Sequence, residues 1–299
     1  WAFNASSAIV GGFAINGNTI YAGNSNGTFY ALPIANTFQS LNVQSLLKNN
    51  IIMSSVLSAG NQSVLGIDYK DIYVSTKGTG DGSSKDNPTT LQNAAASLTD
   101  NTIIHLADGI YTLTKVVMFS KNNITIQADN YGKAVIEKNS LRAYFRVGGS
   151  NVLVKGLAFR GTSSGALYMD KAVNATVDSC FFENSTVTMT SGNTFIATVG
   201  SCKLIKFNNC SFKNCFNQML GVNNCEDIYI TNCIFQNMTH NGRTGANTVI
   251  RIGYTYTEAE NTGATIENCT FINNNLALVS EDTSLITMYN GTIRNCVFQ

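Results

Sequence analysis

The side chains with most chemistry to offer in this chain of 299 residues are eight cysteines, two histidines and a thin scatter of acids. Thiols can pair as disulfides, ligate zinc or fill space as small apolar groups. Five of the eight recur in one local pattern: Val177-Asp-Ser-Cys180-Phe-Phe182, Phe207-Asn-Asn-Cys210-Ser-Phe212, Ile230-Thr-Asn-Cys233-Ile-Phe235, Ile266-Glu-Asn-Cys269-Thr-Phe271 and Ile293-Arg-Asn-Cys296-Val-Phe298. Zinc is disfavoured, because no Cys-x-x-Cys pair occurs and His105 and His240 stand apart from the repeats. No metal and no cofactor is expected. Equivalent cysteines on stacked parallel strands meet disulfide geometry poorly, so the pattern predicts a column of reduced, inward-facing thiols.

The acids within the repeats, Asp170, Asp178, Glu183, Glu226, Asp227 and Glu267, come singly, with no Asp-Asp pair and no Asn-Thr-Asp string. Glycosidic hydrolysis needs two carboxyl groups about 5 to 10 Å apart. No catalytic residue is therefore assigned. Asp81-Gly-Ser-Ser-Lys-Asp86 has the oxygen-rich look of a calcium loop but lacks the spacing and closing Glu of an EF-hand. A turn held by Asp and Asn side chains is the simpler account. The residues best suited to a ligand lie in the longest insertion, 239–263: His240, Arg243, Arg251, Tyr254 and Tyr256, with Glu258 and Glu260 beside them. Tyr rings flanked by hydrogen-bonding groups suit a sugar face or a protein partner. The competing account is that Val249, Ile252 and Tyr254 form strands of a coil, with Tyr packed on a neighbouring loop.

The elements that must carry these residues follow from parity. Inward positions alternate up to the residue before each Cys, as at Ile228 and Ile230, then restart on the opposite parity at Cys233 and Phe235. A strand that shifts parity by one has turned a corner. The hinge is Asn209, Asn232, Asn268 and Asn295, the residue type that most readily enters the left-handed region after Gly, and Gly156 takes that place in an earlier copy. A second corner is expected after each Phe, at Asn184, Asn214, Asn237 and Asn273, with Gly161 in the earliest copy. Leu157 to Cys180, Cys210 to Cys233 and Cys202 to Cys225 are each 23 positions apart. A coil of that length with three short strands is the unit of a right-handed parallel β-helix, an all-β solenoid rising about 4.8 Å per turn. The longer intervals place their extra residues after the second corner, so the loops should project from one side.

Composition fits this architecture and narrows the partners. Glycine is frequent, at 25 residues, and proline rare, at 2, which suits a corner-rich β protein. Charged residues are only 12% and the formal net charge is +1, which argues against nucleic acid or an anionic membrane surface. No apolar run is long enough to span a bilayer. The chain starts at Trp1 without Met and stops inside a repeat, so a fragment or processed piece is expected, incomplete at its C-terminal end.

Three regions differ in texture. Residues 1–36 read as a β-hairpin, Phe13 to Gly23 and Gly27 to Leu32 around the turn Asn24-Ser-Asn-Gly27; the string Thr19 to Leu32 resembles the repeat of quinoprotein-like β-propellers. Residues 37–70, with Phe38, Leu41, Val43, Leu46, Leu47, Ile51 and Ile52, have the spacing of a helical connector. Residues 71–299 form the β-helix. They open with Asp71-Ile-Tyr-Val, a Gly-rich loop ending in Asn87-Pro88, a helix from Thr89 to Leu98 with Leu91, Ala94, Ala95 and Leu98 on one face, and the first coil strands Thr102–Leu106 and Gly109–Thr112. This order resembles the start of the pectate-lyase-like right-handed β-helix superfamily, in which such a helix covers the open end of the cylinder and blocks edge pairing. Within that superfamily the Asn-Cys-x-Phe coils look most like adhesin-like surface proteins of methanogenic archaea.

That resemblance implies an extracellular or cell-surface protein that presents loops to glycans or cell-surface partners without catalysis. The alternative it leaves open is a polysaccharide lyase or glycoside hydrolase. His240-Asn-Gly-Arg-Thr-Gly245 and Arg251-Ile-Gly253 resemble the His-Gly and Arg-Ile-Lys strings of polygalacturonases, but the clustered aspartates of those enzymes are missing here.

Overall fold

Short β-branched and aromatic runs punctuated by Asn and Gly favour strands that turn often. The computed structural model describes residues 14–16, 19–23, 29–33, 69–138, 144–161, 165–184, 195–215, 218–239, 248–253, 261–274, 284–288 and 291–299. Among these residues a single helix, Leu91–Ala96, accompanies the strands. The chain divides into two compact units, Trp1–Ile67 and Asp68–Gln299.

In the smaller unit, Ala14–Asn16, Thr19–Gly23 and Phe29–Pro33 form an antiparallel three-stranded sheet, with Gly23 opposite Phe29. The connector expected at 37–70 lies outside the described residues except at its end, where Lys70 already belongs to the first strand of the larger unit, Lys70–Val74.

The larger unit is a parallel β-solenoid with three faces. Its fifteen-stranded sheet wraps two of them, because long strands run around the corner. Phe145–Lys155 pairs with Val117–Phe119 through its first half and with Ile124–Ala128 through its second, with the register breaking between Val147 and Gly149. The first face continues through Leu167–Asp170, Phe195–Gly200, Gln218–Asn223, Thr248–Ile252 and Ser284–Met288. The second face carries Val173–Asp178, Lys203–Asn208, Cys225–Thr231 and Ala264–Glu267. The eight-stranded sheet, from Gly109–Leu113 to Val297–Phe298, is the third.

Between the second and third faces the backbone is left-handed at Asn209 (φ 53°), Asn232 (φ 55°), Asn268 (φ 54°) and Asn295 (φ 53°), with Gly156 (φ 69°) in the earlier coil. Asn is the hinge here because its short polar side chain lowers the cost of that region. Ser179 (φ 53°) fills the same place before Cys180, where no Asn signals it. The second corner is left-handed at Asn214, Asn237 and Asn273, whereas Gly161 and Asn184 are the last residues of their strands. Between the first and second faces Asn101, Asn123, Asn151 and Asn174 are left-handed, and the carboxamides of the last three each donate to the one below at 2.8 Å. The corner backbone is itself paired from coil to coil, with the Asn101 amide donating to the Asn122 carbonyl at 3.0 Å and the Asn123 amide to the Ser150 carbonyl at 2.8 Å.

Inside the cylinder two columns run along the axis. The rings of Phe159, Phe182, Phe212, Phe235, Phe271 and Phe298 stack at 4.4 to 5.1 Å and within 11° of parallel. Cys180, Cys210, Cys233 and Cys269 are buried beside them, and Cys296 is half-buried on the last coil; all are free thiols. Their Sγ atoms donate to carbonyls of the coil below, as Cys210 does to Val177 at 3.4 Å and Cys269 to Ile230 at 3.5 Å. Leu91, Ala94 and Leu98 bury the helix against the first coils, and the Thr90 side chain caps it by accepting from the Asn93 amide at 3.1 Å.

The segment 239–263 is not one projecting loop. Its middle, Thr248–Ile252, is a first-face strand with Val249, Ile250 and Ile252 buried. The 13 residues by which the 36-residue interval exceeds the 23-residue coil are therefore divided, some before this strand and some between Ile252 and Ala264.

Candidate functional site

Outward positions on successive coils line up in register, so the surface is best read along columns. On the first face one column runs Met118, Arg146, Tyr168, Thr198, Gly221 and Arg251. Polar and aromatic groups gather at its second and third coils. The Arg146 guanidinium is hydrogen-bonded to the Asp170 carboxylate and lies 5.6 Å from the centre of the Tyr168 ring. The Tyr144 and Tyr168 ring centres are 6.1 Å apart at an interplanar angle of 51°. Gly200, above Asp170, has no Cβ, and one built there would come within 3.4 Å of the Tyr168 hydroxyl. One coil further in the same column the Asn223 carboxamide oxygen is buried without a protein partner.

Behind this patch Lys138 is completely buried at the end of strand Ala134–Lys138. Its Nζ donates to the Gly165 carbonyl at 3.3 Å and sits 4.1 Å from the centre of the Tyr144 ring. Burial pushes this amine down to about 8, because a low-dielectric site disfavours the ammonium form. Burial, and then the Asp170 charge, raise the Tyr168 phenol, while the hydrogen bond that Arg146 donates to Asp170 raises its guanidinium. The arrangement offers two rings for stacking, a donor fork and an acceptor carboxylate, with the covered Lys138 amine supporting the Tyr144 ring from behind.

A second polar cluster occupies the second face. The Asp71 carboxylate meets His105 Nε2 at 2.7 Å, Gln127 reaches His105 Nδ1 at 3.2 Å, and Tyr73 stacks on the imidazole at 4.7 Å. This is a tie across three coils.

Other acids serve the same purpose. Asp178 accepts from Asn208 at 2.9 Å, Glu226 pairs with Lys203 at 2.6 Å and Glu267 with Arg294 at 2.8 Å, always on the neighbouring coil. Asp81 accepts from the Ser83 amide and from Asn87 at 2.9 and 2.8 Å, which makes it the turn-forming residue of its loop. Those bonds hold its carboxyl below the usual range, Ser83 first among them.

Of the residues the sequence proposes for a ligand, Arg251 is described. It stands in the Arg146–Tyr168 column, and its Nε donates to the Gly253 carbonyl at 3.2 Å. His240, Arg243, Tyr254 and Tyr256 lie outside the described residues. The Lys138, Tyr144, Arg146, Tyr168 and Asp170 group was missed by sequence reasoning. Its signal was the alternation in Phe145-Arg-Val and Leu167-Tyr-Met-Asp170, two stretches that align once Phe145 is set against Leu167.

No family model and no curated protein matches this sequence. Among solved structures it is similar to a pectate lyase, Pel9A, at 18% identity and a TM-score of 0.39, over 77% of this chain and 79% of that one. It is similar to a pectin methylesterase from Aspergillus niger at 13% identity and a TM-score of 0.46, over 77% of each chain. A rhamnogalacturonan lyase matches at 12% identity and a TM-score of 0.39, over 71% of this chain and 78% of that one. All three are parallel β-helix proteins. The likeness is one of strand architecture, and no residue role is carried across it.

Proposed function

We propose that this chain is a non-catalytic, glycan-binding β-solenoid of the cell exterior, akin to adhesin-like surface proteins, and that its ligand sits on the first face. The observation that carries the reading is the pair of tyrosine rings on adjacent coils, 6.1 Å apart, with the Arg146–Asp170 pair beside them. Rings take the apolar face of a sugar while a fork of donors and a carboxylate meet its hydroxyls. A glycan lying along the column runs from Tyr168 toward Arg251, and His240, Arg243, Tyr254 and Tyr256, which flank that strand in sequence, are proposed to complete its site. Acids tied to neighbouring coils argue for surface architecture over cleavage. An exterior setting is compatible with free thiols, because seven of the eight are buried away from oxidants.

The test is calorimetric titration of the full chain with neutral and uronic-acid oligosaccharides. Binding without new reducing ends or unsaturated products is expected, at least about tenfold weaker in Tyr168→Ala. Absence of binding across the panel overturns the reading.

A second reading, a polysaccharide lyase or hydrolase, would need the Lys138 amine, lowered to about 8 by burial and fully covered here, to reach a substrate proton. Turnover of polygalacturonate that disappears in Lys138→Met would establish it.

A further inference from the structure

The outer surface of the third face carries two parallel columns. Over its first six coils one is Ile110, Val135, Ala158, Phe181, Ser211 and Ile234, continued by Thr270 and Val297; the other, two residues along each strand, is Thr112, Glu137, Arg160, Glu183, Lys213 and Gln236, continued by Ile272. Ile110, Phe181 and Ile234 are 51%, 43% and 39% exposed, apolar spots on a column in which Val135 is buried and the Phe181 ring lies beside Gly132. The second column alternates in charge over its middle four coils, minus, plus, minus, plus.

Over the first six of the eight coils the charge order of the second column matches its own reverse with sign exchanged. A two-fold axis parallel to the strands, passing between Ala158–Gly161 and Phe181–Asn184, reverses the coil order and keeps each column opposite itself. Glu137 then faces Lys213 of the second copy, Arg160 faces Glu183, and the remaining two contacts follow by symmetry. In the apolar column the large Phe181 meets the small Ala158, Val135 meets Ser211 and Ile110 meets Ile234. Opposite charges meet at the four middle coils, and Phe181 meets the small Ala158 beside them, the self-complementarity that an isologous interface requires.

We propose that the third face binds a second copy of this chain, face to face and with solenoid axes antiparallel. Six coils at about 4.8 Å each span about 29 Å. With strands only a few residues wide, the contact covers roughly 400 Å² per copy, about half the usual share of a standard interface. The dimer is therefore weak in solution and favoured where copies are crowded.

Sedimentation velocity of the full chain from micromolar to millimolar concentration reads this directly. A monomer–dimer equilibrium is expected, and Phe181→Lys should leave only monomer. Lys213→Glu and Glu137→Lys should each weaken association at least tenfold, whereas the double exchange should restore it to within about threefold. All of these positions lie on the outer surface, and far-UV circular dichroism confirms that each variant keeps its strands. A chain that stays monomeric throughout, a dimer that survives Phe181→Lys, or two charge changes that fail to rescue one another each overturns the proposal.

Discussion

Single residues in this chain are selected by backbone region as much as by contact. Asn232 sits at φ 55° with its carboxamide donating to Asn208 Oδ1 at 3.0 Å. Asn232→Gly should keep stability within about 0.5 kcal/mol, while the β-branched side chain of Asn232→Val should cost about 1–3 kcal/mol through strain; urea denaturation measures both. These hinges were legible because Asn recurs before Cys, whereas Ser179 was not, since serine has no marked preference for that region. The candidate site was hidden for a related reason. The bulge between Val147 and Gly149 sets Arg146 against Tyr168 one position short of the 23-residue period, so the regular spacing does not mark them in the sequence. Lys138 gives a sharper test. Its amine falls from 10.5 to about 8, so between those values the unfolded chain binds a proton that the folded chain does not. Wild-type stability therefore carries the full cost of the buried charge below pH 8 and recovers it as pH rises toward 10.5. Relative to wild type, Lys138→Met should lose stability on going from pH 8 to pH 10, by up to about 1.4 kcal/mol per unit. A pH-independent difference would show that the amine is solvated.

Elements here are short and cannot stand alone, so their stability comes from stacking against copies of themselves. Phe212 is fully buried and lies between Phe182 at 4.4 Å and Phe235 at 4.8 Å, whereas Phe298 ends the described stack and is 53% exposed. Phe212→Ala should cost about 3–5 kcal/mol, the range for a large buried ring, and Phe298→Ala no more than about 1 kcal/mol. Equal losses in thermal or chemical unfolding would mean that the rings do not form one column. Strands and corners of this kind were readable from parity alone. The strand Thr248–Ile252 was harder, because Thr-Val-Ile-Arg-Ile is a short apolar run embedded among polar residues, and the aromatic and charged residues around it suggested an exposed loop instead. Of the two accounts open for Val249 and Ile252, the coil strand is the one observed.

At the scale of the whole molecule the interior columns couple folding to thiol chemistry. Burial pushes the Cys180 thiol up to about 12, and hydrogen bonding to neighbouring thiols together with burial raises Cys233 and Cys269 as well. In an unfolded chain the same groups ionise near 9. Above that pH the folded state holds protons that the unfolded state has lost, so stability falls as pH rises. Each such thiol contributes a slope of about 1.4 kcal/mol per pH unit, in the direction opposite to Lys138. Several thiols outweigh one amine. Under reducing conditions, denaturation midpoints should therefore hold steady from pH 7 to about pH 8.5 and drop steeply toward pH 10. The buried thiols should resist alkylation at pH 8 until denaturant unfolds the solenoid, with Cys296, half-buried on the last coil, reacting first. Rapid labelling of more than one or two thiols in the native protein, or a midpoint unchanged at pH 10, would contradict a sealed column of protonated cysteines running through the core.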